Sequence, residues 1–210
     1  MTWFLRNWEQ VAVALAEHIV IAGSALAIAF VLSLAIGIAA ARSQRVFDAA
    51  IAVSGILYTV PTLAFLALLI PIVGLGKTNA IICMVAFSLM ILVRNIATGI
   101  REVPADVTDA ARGMGMSAAE ILWKVELPLA MPVIVAGLRI AAVTVISVTV
   151  VAAYVNAGGL GTIIFNGIAS DHPPKIVTGA VAACLLAIGV DVSLAALERR
   201  LKSRRASGPG

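Results

Sequence analysis

Little in this chain could do covalent chemistry. His18 and His172 have no metal-ligating neighbours at a suitable spacing, and Cys83 and Cys184 stand alone inside apolar runs with no C-x-x-C pattern. Both cysteines are expected to be small packed hydrophobes. The glycine-rich stretch Asn156 to Gly161 lacks the G-K-[ST] ending of a phosphate loop. It reads as a turn or gate on the outer face. No catalytic residue, metal site or nucleotide site is expected. What remains is one polar interval, Arg101 to Pro128, and two lone charges inside apolar runs, Arg139 and Asp191. Chemistry of this kind serves contact and mechanics.

The elements that hold these residues follow from hydropathy. Of 210 residues, 61% are hydrophobic and 12% charged, with mean hydropathy +1.07, so the expected solvent is lipid. The net charge of +4 reflects cations at span ends rather than a nucleic-acid surface. Five spans are predicted. They run over 19–41; 49–76, broken by Pro61 and ending in a turn from Pro71; 78–100; 127–154; and 176–197. Residues 3–16, with Trp3, Phe4 and Trp8, read as an interfacial helix or tilted lead-in; if they crossed they would be a sixth span. Residues 162–168 read as a short packed or re-entrant piece. A single membrane domain over 1–200 and a disordered basic tail over 201–210 are expected. Intervals 42–45, 94–124 and 199–205 hold eleven Lys and Arg, against Arg6, Lys77 and Lys175 on the other side. That bias predicts the polar interval and the C-terminus to be cytoplasmic.

Within the interval, Pro104 suits a helix start and Asp106 and Asp109 suit its first turns. Gly113 and Gly115 are expected to interrupt the helix. Ser117 and Glu120 form the S-x-x-E capping box of a second short helix. Leu127-Pro128 is expected to end that helix and send the chain into the membrane. On composition alone this element is equally an ordered structural loop or a docking surface. In the spans, Pro61 after Tyr58 and Thr59 reads as a kink that either lines a path or serves packing. Thr144, Ser147 and Thr149 line a path or pack helices. Arg139 and Asp191 lie at similar depth and are predicted to pair, with Arg94 as competing partner.

The spacing Asp109-Ala110-Ala111-x3-Gly115-x9-Val125-x-Leu127-Pro128 resembles the E-A-A-x3-G-x9-I-x-L-P signature of ABC importer membrane subunits, with Asp109 for Glu and Val125 for Ile. The flanks, including Y-T-V-P-T-L-A-F, G-L-G-K and N-A-G-G-L-G-T-I-I-F-N-G-I, are similar to the quaternary-amine osmoprotectant branch. The resemblance covers about residues 18–200. It implies an all-α type I (MetI-like) permease fold in a bacterial inner membrane. It also implies coupling helices that dock on a separate ATPase, through Asp109, Ala110, Ala111, Gly113, Gly115, Val125, Leu127 and Pro128. The implied partners are an ATPase dimer carrying ATP and Mg²⁺, a second permease subunit and an extracytoplasmic binding protein that carries substrate selectivity. Other small solutes such as amino acids, and a stand-alone secondary transporter, are the alternatives. The latter should show inverted repeats, and none is evident.

Overall fold

The computed structural model describes residues 2–206, and helix accounts for nearly all of them, with no strand among the described residues. A short helix α1 (Thr2–Arg6) precedes α2 (Trp8–Arg42), α3 (Gln44–Thr59), α4 (Thr62–Val73) and α5 (Lys77–Arg101). Then come α6 (Ala105–Gly113), α7 (Ala118–Ile121), α8 (Leu127–Val151), α9 (Leu160–Ala169) and α10 (Pro173–Ala206).

Four stretches are long and apolar enough to cross a membrane: Trp8–Arg42, Lys77–Arg101, Ala118–Val155 and Pro173–Ser203. The α3–α4 pair passes the same test as a unit but bends by 99°. Contacts show that the pair is a crossing. Glu17 near the start of α2 meets Lys77 at the start of α5 (3.6 Å), and Arg101 at the end of α5 bonds to Ala40 O at the end of α2. The two helices are therefore parallel, and residues 43–76 must return the full depth of the bundle. Five crossings result. One end gathers Glu17, Gly76, Val155 and Gly159. The other gathers Arg42, Arg101 and Glu126.

α5 is the central helix, because small residues let its neighbours come close. A Cβ on Gly37 of α2 would lie 2.6 Å from Ile96, and one on Gly137 of α8 would lie 2.5 Å from Asn95. Such approach gives lipid-embedded helices their dispersion contacts. The core follows, with Ile21, Ala25, Met84, Phe87 and Val145 at one level and Ala29, Leu92, Ile96, Ala130 and Ile134 at another.

Several expectations need correction. Residues 8–16 are the continuous start of α2, at 35 residues about 52 Å long and so well beyond a ~30 Å hydrocarbon core. They are a lead-in, not a sixth span: Trp3 lies edge-on to His172, 6.2 Å away, at the Glu17 end. The break expected at Pro61 is a full interruption of the helix rather than a kink, since Pro61 cannot donate to the ladder and restricts Val60 to extended backbone (ψ 126°). Pro71 sits inside α4 rather than ending it. Residues 201–206 continue α10 where a disordered tail was expected, while 207–210 lie outside the described residues. Cys83 is buried as expected, but Cys184 is exposed.

Candidate functional site

The polar interval folds as helix, turn, helix. Pro104 caps α6 rather than joining its first turn, and Gly113 is the last residue of α6 rather than an interruption. The break falls at Gly115, whose φ of +82° belongs to the left-handed region. Gly115 N donates to Arg112 O (2.9 Å) and Met116 N to Ala111 O (3.2 Å), the paired bonds that close a helix C-terminus in the Schellman manner. Ser117 then starts α7. Its hydroxyl accepts from Glu120 N (3.3 Å) while its own N–H donates to Glu120 Oε2 (3.0 Å).

The chain does not stop at Leu127-Pro128. Residues Leu122–Glu126 form one wide π turn, and helix continues from Ala118 to Val155. The wide turn absorbs the proline. In an ordinary α ladder Pro128 would leave Lys124 O without a donor and clash with it. The turn also points Glu126 inward, where its side chain is 5% exposed and Arg42 holds it in a bidentate pair, Nη1 to Oε1 at 2.9 Å and Nη2 to Oε2. This pair ties the end of α2 to the start of α8. Nothing in the sequence reading singled out Glu126. No local signal marks it, because its partner Arg42 lies 84 residues away in the chain.

Burial separates the residues of the signature into two groups. Ala111 and Leu127 are buried and hold the element together, with Val125 half-buried. Asp109, Ala110, Gly113, Gly115 and Pro128 are exposed. Asp109 pairs with Arg112 on the surface (2.6 Å). Two large apolar side chains missed by motif reading stand out on this polar face, Met114 at 75% exposure and Trp123 at 60%. Exposed large apolar groups among polar ones mark an interaction surface. Arg101 anchors the base of the segment, bonding Ala40 O, Ala41 O and Gln44 Oε1 and lying 4.6 Å over the Phe47 ring.

The charges inside the bundle cluster. Arg139 Nε donates to Asp191 Oδ1 (3.0 Å) and Nη1 donates to Glu198 Oε2 (2.7 Å), while Lys202 holds the other Glu198 oxygen (2.7 Å). Asp191 and Glu198 are seven residues apart, two turns along α10, so one guanidinium spans both. Glu198 was not anticipated, and Arg94 has no ion-pair partner among the described residues.

Of the residues read as path or packing, Tyr58, Thr59 and Pro61 are exposed at the α3–α4 break, and Tyr58 also lies edge-on to buried Phe87 (6.0 Å). Ser147 is exposed and Thr144 half-exposed, with exposed Ile140 also on α8 and exposed Tyr154 in the turn that follows it. Each hydroxyl returns to the carbonyl four residues back (Thr144 to Ile140 O, Ser147 to Val143 O). Thr149 faces the core instead and donates to Val145 O (2.7 Å).

At the opposite end α9 is capped by another helix. Glu17 Oε2 accepts from Gly159 N (3.1 Å) and His18 Nδ1 from Leu160 N (3.3 Å). Since Nδ1 accepts, Nε2 carries the proton and donates to Ile146 O (3.1 Å). Gly158 and Gly159 both have positive φ there. Among the described residues no group of three His, Cys, Asp or Glu could hold a metal.

A family profile described as binding-protein-dependent transport system inner membrane component matches residues 15–203. The carnitine transport permease protein OpuCB of Listeria monocytogenes is 38% identical over 201 residues, covering 96% of this chain and 92% of that protein. The choline transport system permease protein OpuBB of Bacillus subtilis is 38% identical over 185 residues, with coverage of 88% and 85%. A glycine betaine/carnitine/choline transport system permease protein, OpuCB of the same species, is 34% identical over 208 residues, with coverage of 99% and 96%. The fold matches the inward-facing MetNI methionine ABC transporter, with a TM-score of 0.82 at 22% identity over 91% of this chain and 95% of that one. A helix–turn–helix on a five-crossing bundle, matched nearly end to end, has one reading: the chain belongs to the binding-protein-dependent transport system inner membrane component family and is a multi-pass permease subunit, not an enzyme.

Proposed function

We propose that this chain forms half of the translocation path of an ATP-driven importer for a quaternary-amine osmoprotectant such as glycine betaine, choline or carnitine. The observation that carries the substrate class is that relatives named for carnitine, choline and glycine betaine are 34–38% identical over 88–99% of this chain. The resemblance supports a second permease subunit, identical or paralogous, because five crossings are too few to enclose a path. Residues 1–200 make the membrane domain, and the basic end after it lies on the cytoplasmic face of the bacterial inner membrane. The segment 101–128 docks on a separate ATPase dimer, where ATP and Mg²⁺ bind. Its exposed Asp109, Ala110, Gly113 and Gly115, joined by Met114 and Trp123, are the contact face; Ala111, Val125 and Leu127 set its shape. Tyr58, Thr59, Pro61, Thr144 and Ser147 face the path. An extracytoplasmic binding protein delivers the solute.

The test is ATP-dependent uptake by the reconstituted complex, with glycine betaine, choline and carnitine as competitors and methionine as control. Competition by the three trimethylammonium solutes and none by methionine is expected. Competition by methionine alone would overturn the substrate class, and uptake by this chain alone without ATP would overturn the ATPase coupling.

A further inference from the structure

A groove of about 490 Å³ runs along α3 where it meets α2 and α5. Ile36, Ala49, Val53, Leu57 and Val93 line it, with Arg45 at one end. Its wall offers almost no polar atom. The Ser54 hydroxyl turns back onto Ala50 O (2.6 Å).

The corner at its mouth holds three guanidiniums, and two are engaged. Arg42 is paired with Glu126, and Arg101 is spent on backbone carbonyls, Gln44 and the Phe47 ring. Arg45 is exposed and makes no hydrogen bond or ion pair among the described residues. The adjacent carboxylate, Asp48, accepts from Gln44 Nε2 (2.8 Å) rather than from Arg45.

An apolar trough with one free cation at its head fits an amphiphile with an anionic head. The length agrees. Arg45 to Leu57 spans twelve residues, about 18 Å of helix, close to half of a ~30 Å hydrocarbon core. We propose that this groove binds an anionic phospholipid, with one acyl chain along α3 and the phosphate against the Arg45 guanidinium. A guanidinium matches phosphate geometry. A choline or ethanolamine head would bring a second cation beside Arg45, and a glycerol head does not. The inference does not depend on the substrate or on which face is cytoplasmic.

The full-length chain, purified in detergent and stripped of lipid, is titrated with dioleoylphosphatidylglycerol or dioleoylphosphatidylcholine, and adducts are counted by native mass spectrometry. The first adduct should favour phosphatidylglycerol by about fivefold, the scale of one Arg at an anionic surface. Arg45→Gln should abolish that preference while leaving an adduct with either lipid. Ala49→Trp, or Val53→Trp if the first folds poorly, should fill the trough and remove the first adduct. Ile72→Trp, on an exposed face outside the groove, should change nothing. Equal retention of both lipids by the native chain, an unchanged preference in Arg45→Gln, or a retained first adduct in the Trp variants overturns the proposal. So does a Trp variant that splits a dimer while keeping its lipid, since a second copy of the chain would then be the occupant.

Discussion

At Gly115 the backbone, not space, forbids a side chain. A Cβ built there meets nothing within 4 Å, but the φ of +82° costs a non-glycine residue about 1–2 kcal/mol. Gly115→Ala should therefore reduce substrate-stimulated ATP hydrolysis in the reconstituted complex, and Gly115→Asn should retain more of it because asparagine tolerates the left-handed region. Gly115→Asp, which tolerates that region too but puts a charge on the exposed face proposed to dock, should abolish it while binding-protein affinity for substrate stays unchanged. Lower activity for Asn than for Ala would show that bulk rather than backbone is at stake. A second prediction comes from the three-cornered charge cluster. Removing Asp191 leaves Arg139 its bond to Glu198, whereas removing Arg139 leaves Asp191 without a cation and Glu198 with Lys202 alone. Arg139→Ala should lower assembled yield far more than Asp191→Asn. Exchanging the charges of 139 and 191 should restore only part of the loss, because the carboxylate introduced at 139 meets Glu198. Full recovery by that exchange would mean Glu198 contributes nothing.

Among elements, α9 depends on a cap from outside its own sequence. Its first N–H groups have no partner within the helix, and Glu17 and His18 supply acceptors from 142 residues away. Each lost cap should cost about 1 kcal/mol. Glu17→Ala and His18→Phe should therefore raise hydrogen exchange across residues 160–169 severalfold while leaving α5 protected. His18→Asn, which keeps an acceptor, should lie between; exchange unaltered in all three would refute the cap. This contact also marks the limit of what the sequence disclosed. Spans, the helix–turn–helix of the polar interval and the Ser117–Glu120 box are local patterns of period and capping, and they are legible in a single chain. Glu126 on Arg42, Glu198 on Arg139 and His18 on Leu160 join residues 59 to 142 apart. No local rule reports such pairings. The prolines misled for a related reason. Leu127-Pro128 reads as a stop only if the helix must stay α, and the π turn removes that condition. Pro71 reads as a stop only if α4 needs every rung of its ladder, and α4 ends two residues later in any case.

For the whole molecule, the parallel pairing of α2 and α5 is the constraint that fixes its topology, because it forces the bent α3–α4 pair to cross. An alternative in which residues 44–73 dip in and leave by the same face would put Lys77 beside Arg42, about 38 Å along α2 from Glu17 at a rise of about 1.5 Å per residue. The contacts Glu17–Lys77 and Arg101–Ala40 then could not both form. The crossing count has a direct consequence for labelling. Ser43 and Ser203 should share one face of the membrane, and Ser170 and residue 77 the other. Single cysteines at Ser43, Ser170 and Ser203, in a chain where Cys83 and the exposed Cys184 are replaced by Ala, test this with an impermeant maleimide on sealed right-side-out vesicles. Ser170 should label from outside, and Ser43 and Ser203 only after the vesicles are opened. The positive-inside bias sets this sign, and the parallel helices set the grouping. Labelling of all three in the reverse sense would invert the orientation and move the 101–128 segment away from any ATPase. Labelling of Ser43 and Ser203 from opposite faces would break the five-crossing topology itself. The two inferences thus fail separately: one rests on charge at the ends, the other on which helices touch.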